Sequence, residues 1–168
     1  MYLYLIRHAQ PFYSAPGPYH LPPGPGLTDE GIAQASRLGT ILSGAGIERV
    51  VSSPLRRCVM TAEPLAAALG LDLLLDQDLR EGQPEESQAD VTVRMLRATL
   101  AQSEARVVAL VSHNAPLVYL LRSLTYDEVQ LPAKDRRGNQ LAECMVWSVY
   151  NRGGRWKAQH LPPEGTAC

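Results

Sequence analysis

Residues 107–111, VVALV, are five apolar residues in a row between Arg106 and Ser112. A half-exposed strand alternates apolar and polar side chains. An unbroken run is what a strand covered on both faces requires, and such strands are parallel ones joined by helices. This one segment therefore asks for helices on either side of it. The neighbouring sequence supplies them.

Residues 2–6 and Val50-Val51 read as two further strands, and residues 71–75 as a third apolar run. Leu27-Thr28-Asp29-Glu30 reads as a helix start with Thr28 as N-cap and acids in the first turn. Ile32, Ala35, Leu38 and Leu42 give that helix an apolar face. Ser53-Pro54 reads as N-cap and N1 of a second helix. Leu55, Val59, Ala62, Ala66 and Leu69 continue it at helical spacing. Pro64 lies inside the pattern, where a kink or break is expected. A third helix is predicted over residues 87–102, with Val93, Leu96 and Leu100 on one face. Asn114-Ala115-Pro116 reads as the cap of a fourth, carrying Leu117, Leu120, Leu121 and Leu124. Residues 127–140 are polar and read as loop. So do residues 11–26, which hold six prolines and three glycines. Residues 145–150 and 155–160, either side of the turn residues 151–154, read as a β-hairpin.

Strands alternating with helices predict an α/β fold, a three-layer αβα sandwich with a mainly parallel central sheet. The hairpin adds an antiparallel edge. With 168 residues, 45% of them apolar, the chain suits one catalytic domain over residues 1–168. A net charge of −1 supplies no field toward nucleic acid or an anionic membrane, and neither is expected as a partner. The apolar run at the N-terminus, about five residues, is too short for a signal segment or a span. Cys58, Cys144 and Cys168 form no C-x-x-C pair, which points to a reducing compartment. The expected location is cytoplasmic. Oligomeric state is not legible here.

In an open α/β sheet, ligands bind beyond the carboxyl ends of the strands. The first strand ends at Arg7-His8 and the second at Ser52-Ser53, followed by Arg56-Arg57. The third leads through Asp78-Leu79-Arg80 to Glu81, and the buried 107–111 strand ends at Ser112-His113. One sheet edge thus collects two histidines, several arginines and a carboxylate. Helix N-termini after Ser53 and at Asn114 aim positive dipole ends the same way. Of the 16 basic residues, fourteen are arginine, whose planar fork suits phosphate. Arginines and helix ends neutralise the non-bridging oxygens of a phosphoryl group. A neutral imidazole can act as nucleophile, and a carboxyl group can protonate the leaving oxygen.

MYLYLIRHAQ, LTDEGIAQA, SSPLRRCVMTA, LRE and VALVSHNAP resemble, in order and spacing, the histidine phosphatase superfamily, also called phosphoglycerate mutase-like. The resemblance implies that His8 is the catalytic nucleophile and becomes phosphohistidine. It implies that Arg7, Arg57 and His113 bind the phosphoryl oxygens. Asn114, read from its position as an N-cap, is a further candidate phosphate contact. Glu81 falls at the family's proton donor, so His8, Glu81 and His113 are the expected catalytic residues. The register of Pro54 and Thr61-Ala62 selects Arg57 over Arg56. Cys58 stands where the family has alanine and Met60 where glutamine is frequent, both readable as packing changes. The family's aromatic segment after the acid is absent.

Only 31 residues separate Glu81 from His113. The family's mutases resemble longer chains with a larger insertion here, covering the bound sugar acid. A short connection implies an open site where water can reach the phosphohistidine. The expected activity is therefore a phosphomonoester hydrolase, with mutase-type phosphoryl transfer and a non-catalytic phospho-ligand module as the alternatives. Expected substrates are a small phosphorylated metabolite or a phosphoprotein. No cofactor is expected, and no metal, since neither histidine has a carboxylate or thiolate at ligand spacing. Phe12, Tyr13 and Tyr19 are candidates to line the substrate pocket or to pack under the loop. Ser53 could touch the nucleophile. His20 and His160 read as surface residues. G-x-x-x-x-G-K-[ST], H-E-x-x-H and G-x-S-x-G are all absent from the sequence.

Overall fold

A computed structural model describes residues 1–14 and 17–162. Its strands are β1 (Tyr2–Arg7), β2 (Arg49–Ser52), β3 (Leu73–Leu75), β4 (Val107–Ser112), β5 (Val146–Arg152) and β6 (Arg155–Leu161). Its helices are α1 (Asp29–Ile41), α2 (Arg56–Leu69), α3 (Gln88–Leu100) and α4 (Asn114–Leu124), with one 3₁₀ turn at Gln77–Leu79. The strands form one sheet in the order β3-β2-β4-β1-β5-β6. β4 pairs in parallel with β1 and β2, and β2 with β3. β5 runs antiparallel to both β1 and β6. Among the described residues, no helix is long and apolar enough to cross a membrane. Cys168 lies outside the described residues.

The unbroken apolar run finds its reason in β4. Val108 and Leu110 pack into one core with Met95 of α3 and Leu117 and Leu121 of α4. Ala109 and Val111 point the other way, into a second core with Leu38, Leu65 and Val50. The strand is central, and every residue from Val108 to Ser112 is buried. Helices therefore cover both faces, and the layers are αβα.

Five local expectations need correction. α2 begins at Arg56, with Leu55 at its N-cap, so Ser53 and Pro54 precede the helix. It also runs through Pro64. The lost N–H bond is outweighed there by burial of Ala62, Leu65 and Ala66 against the sheet and α1. α1 buries Ala35 and Leu38, and Leu42 just beyond its end, but leaves Ile32 exposed. α3 exposes Val93 and Leu100 and buries Val91, Arg94, Met95, Ala98 and Thr99. Counting apolar residues alone selected the wrong stripe, because the buried face carries an arginine and a threonine. Finally, α4 takes its N-cap from His113, which makes Asn114 the first helical residue.

Candidate active site

His8 follows β1 directly and is 2% exposed. Its Nδ1 lies 2.8 Å from the Ala9 carbonyl oxygen. An oxygen acceptor there requires the proton on Nδ1, which leaves the Nε2 lone pair free. Burial first, then the charges of Arg57 and Arg7, push the His8 pKa well below its ordinary value. Both effects favour the neutral imidazole, the form able to act as a nucleophile.

The turn after His8 is held by the α1 motif. The Ala9 N–H donates to Thr61 Oγ1 at 2.9 Å, tying the turn to α2. The Gln10 N–H donates to Gln34 Oε1 at 3.0 Å. Thr28 caps α1 by accepting from the Gly31 N–H and donates to Gln10 Oε1 at 2.8 Å. Gly31 is required by closeness: a Cβ there would sit 2.1 Å from the Gln10 carbonyl oxygen. Leu27 and Ala35 are buried beneath the same turn. Each residue of the Leu-Thr-x-x-Gly-x-x-Gln-Ala pattern therefore has a physical task in fixing the backbone beside His8.

Arg57 is fully buried, whereas Arg56 is exposed. Arg57 Nη1 donates to the Tyr19 carbonyl at 2.9 Å, and Nη2 lies 3.1 Å from His113 Nδ1. A guanidinium only donates, so His113 accepts at Nδ1 and carries its proton on Nε2, which donates to Ser53 Oγ at 2.9 Å. Burial, followed by the Arg57 charge, also pushes His113 well below its ordinary pKa. The His8 and His113 rings meet edge to face, 5.3 Å between centroids. Ser53 thus touches His113. Cys58 Sγ lies 3.4 Å from the same Nε2, and burial pushes this thiol up to about 12.

Glu81 Oε2 stands 3.8 Å from Arg57 Nη2 and 3.6 Å from His113 Nδ1. Burial raises its pKa, and Arg57 partly opposes the rise. A carboxyl group of raised pKa beside a buried imidazole is suited to donate a proton. Its segment is clamped by Arg94 of α3, which donates to the carbonyls of Asp78, Arg80 and Glu81 and to the Glu86 carboxylate. Sequence reading missed Arg94 because a lone arginine in a helix usually signals a solvated face.

Arg7 is 2% exposed. Its guanidinium donates to the Leu141 carbonyl and, through Nη2, to Tyr13 Oη at 3.3 Å. Asn114 Oδ1 accepts the N–H groups of Gln140 and Leu141, both at 3.0 Å. Asn114 therefore pins the loop that holds Arg7, and only its Nδ2 remains to meet an anion.

A cavity of about 280 Å³ is lined by Arg7, His8, Tyr13, Tyr19, Glu81 and Asn114. His20, Arg137 and Asn139 complete it. Phe12 lies outside it, about half exposed. His20 is exposed as expected and yet borders the cavity. Arg137 and Asn139 come from the polar loop, in which nothing local marked them. The structure thus brings Arg7, His8, Arg57, Glu81 and His113 together at one sheet edge. Among the described residues, no group of three or more His, Cys, Asp or Glu side chains could hold a metal ion.

Comparison with known proteins gives this arrangement a context. "Probable phosphoglycerate mutase GpmB" of Proteus mirabilis is 27% identical over 93% of this chain and 87% of its own length. "Putative phosphoserine phosphatase 2" of Hydrogenobacter thermophilus is 37% identical over 47% of this chain and 39% of its own. A mycobacterial glucosyl-3-phosphoglycerate phosphatase superposes with a TM-score of 0.75 at 20% identity, covering 95% of this chain and 97% of that one. At that identity the likeness shows the fold. The sequence pattern of the histidine phosphatase superfamily, branch 1, matches residues 3–88. That span carries β1 with Arg7-His8, the α1 motif that braces the turn, Arg57 and Glu81, and it covers just over half the chain. The chain belongs to the histidine phosphatase superfamily.

Proposed function

We propose that this protein hydrolyses phosphate monoesters through a phosphohistidine formed on His8. One observation carries the reading: a neutral, buried imidazole with a free Nε2 shares a cavity with a partly buried carboxyl group of raised pKa, and two buried arginines stand beside it. In the first step Nε2 attacks phosphorus, and the bond to the leaving oxygen breaks. Glu81 protonates that oxygen, and an alcohol departs. In the second step Glu81, now a carboxylate, takes a proton from water as the water attacks the phosphohistidine. Inorganic phosphate leaves and His8 is regenerated. Arg57 and Arg7 neutralise the non-bridging oxygens in both steps, and neutral His113, hydrogen-bonded to Arg57 Nη2, holds that guanidinium in place. None of these steps calls for a metal or cofactor.

The short segment after Glu81 supports hydrolysis over mutase transfer. Only residues 82–87 separate it from α3, and α3 packs against the sheet rather than over the cavity. Water can therefore reach the phosphohistidine. Small phosphorylated metabolites suit a cavity of this size. Cys58 and Cys144 are free thiols, in keeping with a cytoplasmic setting.

The test uses p-nitrophenyl phosphate and a simple alkyl phosphate, with radiolabelled substrate to trap the intermediate. Turnover with acid-labile protein label is expected, and both should vanish in His8→Ala. Near-normal turnover in that variant overturns the mechanism. Isomer interconversion that depends on a bisphosphate primer overturns hydrolysis in favour of transfer.

A further inference from the structure

Two arginines line the reaction cavity, Arg7 and Arg137, and a third, Arg57, is buried beside Glu81 and His113. Arg7 and Arg57 serve the phosphoryl group in the reading above. Arg137 is placed differently. Its side chain is 58% exposed, and it lines the same cavity as His8 and Glu81. An exposed arginine is ordinarily a solvated, mobile side chain. Here the backbone and the guanidinium are both held. Asp135 Oδ1 accepts the N–H groups of Arg137 and Asn139, at 2.8 and 2.9 Å, and Gly138 completes the turn at φ +81°. The guanidinium carbon lies 3.7 Å from the centroid of the Tyr13 ring. Tyr13 in turn donates to Glu143 Oε1 at 2.5 Å and accepts from Arg7.

The surrounding charges leave the fork available. Glu143 is the nearest carboxylate, 3.9 Å from Arg137 Nη1, too far for a hydrogen bond, and it already accepts the Tyr13 hydroxyl. Glu81 faces Arg57 and His113 deeper in the cavity. Asn139 and His20 line the cavity together with Arg137, and Asn139 Nδ2, which donates to Asp135 Oδ2 at 3.3 Å, keeps its second N–H. Bound at His8, the transferred phosphoryl group would leave its alcohol portion pointing toward this rim. A stacked guanidinium with free donors is suited to bidentate binding of a planar or tetrahedral anion.

We propose that Arg137, assisted by Asn139 and His20, forms a second anion subsite, so that preferred substrates are phosphomonoesters whose leaving group carries its own carboxylate or phosphate. The proposal rests on the phosphatase reading above and deepens it. Two matched pairs test it. 3-Phosphoglycerate against glycerol 3-phosphate isolates the carboxylate, and 1,3-propanediol bisphosphate against propyl phosphate isolates a second phosphate. Arg137→Ala is expected to lower kcat/KM at least tenfold for the doubly anionic member of a pair, mainly through KM, with less than a twofold change for its partner. Arg137→Lys should recover part of the loss, and Arg137→Glu should invert the preference. Equal loss on both members, or no loss on either, overturns the subsite while leaving the phosphatase reading intact. Binding of the same pairs to His8→Ala, with and without Arg137→Ala, reads the subsite by calorimetry without turnover. Absence of hydrolysis by the native enzyme would sink the phosphatase reading alone. Indifference of binding to Arg137 would sink the subsite alone.

Discussion

Replacing Arg94 by methionine keeps the aliphatic stem of the side chain and removes the clamp on the segment that carries Glu81. Arg94 is 4% exposed and makes five hydrogen bonds to that segment. Removing one partner of a buried ion pair costs about 3–5 kcal/mol when the other is stranded. Glu86 is not stranded, since it still accepts from Arg80 at 2.8 Å and from the Gln83 N–H at 2.9 Å. The cost should fall near the lower limit, about 3 kcal/mol including the carbonyls left without donors. Domains of this kind have about 5–15 kcal/mol of stability, so the variant should fold. Its Glu81 carbonyl loses a tether, and the carboxyl group loses its fixed position. General acid catalysis contributes about a hundredfold or more, and imperfect placement should forfeit about tenfold of it. Urea unfolding reads the stability. The ratio of kcat for an alkyl phosphate to kcat for p-nitrophenyl phosphate reads the positioning, because p-nitrophenolate leaves without a proton. That ratio should fall about tenfold in Arg94→Met. If both substrates slow equally, or if stability drops and the ratio holds, Arg94 does not position Glu81.

Three further outcomes are expected. Because burial raises the Glu81 pKa, hydrolysis of an alkyl phosphate should decline as pH rises through that value; Glu81→Gln should lose about a hundredfold and flatten this limb, and a retained limb would assign it to another group. His8 and His113 have folded pKa values depressed below the unfolded one, so their contribution to stability is complete above pH ~6.5 and is lost as pH falls toward the folded values, up to about 1.4 kcal/mol per unit for each. Glu81, shifted the opposite way, offsets part of this loss. Urea midpoints should drop between pH 7.5 and 5.5, and equal midpoints would refute the buried neutral pair. Gly31→Ala puts a methyl group 2.1 Å from the Gln10 carbonyl and should cost about 2 kcal/mol or more while loosening the turn beside His8. An unchanged melting temperature and rate would refute the close approach.

Much of this molecule is local enough to be read along the chain. Five apolar residues at 107–111 demanded a strand covered twice, and β4 is central. Thr28, Gly31 and Gln34 act within one turn of helix and one contact, so their pattern survives as sequence. The register of Pro54 and Thr61 points to Arg57 over Arg56, and the two side chains differ in burial, Arg57 enclosed and Arg56 exposed. What escaped was decided by partners distant in sequence. Arg94 looked like a surface charge until the segment before α3 folded over it. Asn114 looked like a helix cap, and its oxygen instead holds residues 140 and 141. Arg7 reaches a carbonyl 134 positions away. Arg137 lies in a loop with no periodicity, and it acquires a place only because the Asp135 turn and the Tyr13 ring meet at the same sheet edge. Propensity, capping and hydrophobic period are nearest-neighbour properties, so the sequence by itself determined the elements and the strand exits at which the candidate site residues stand. The partners of each charged group depend on chain closure, and only the tertiary structure decided those.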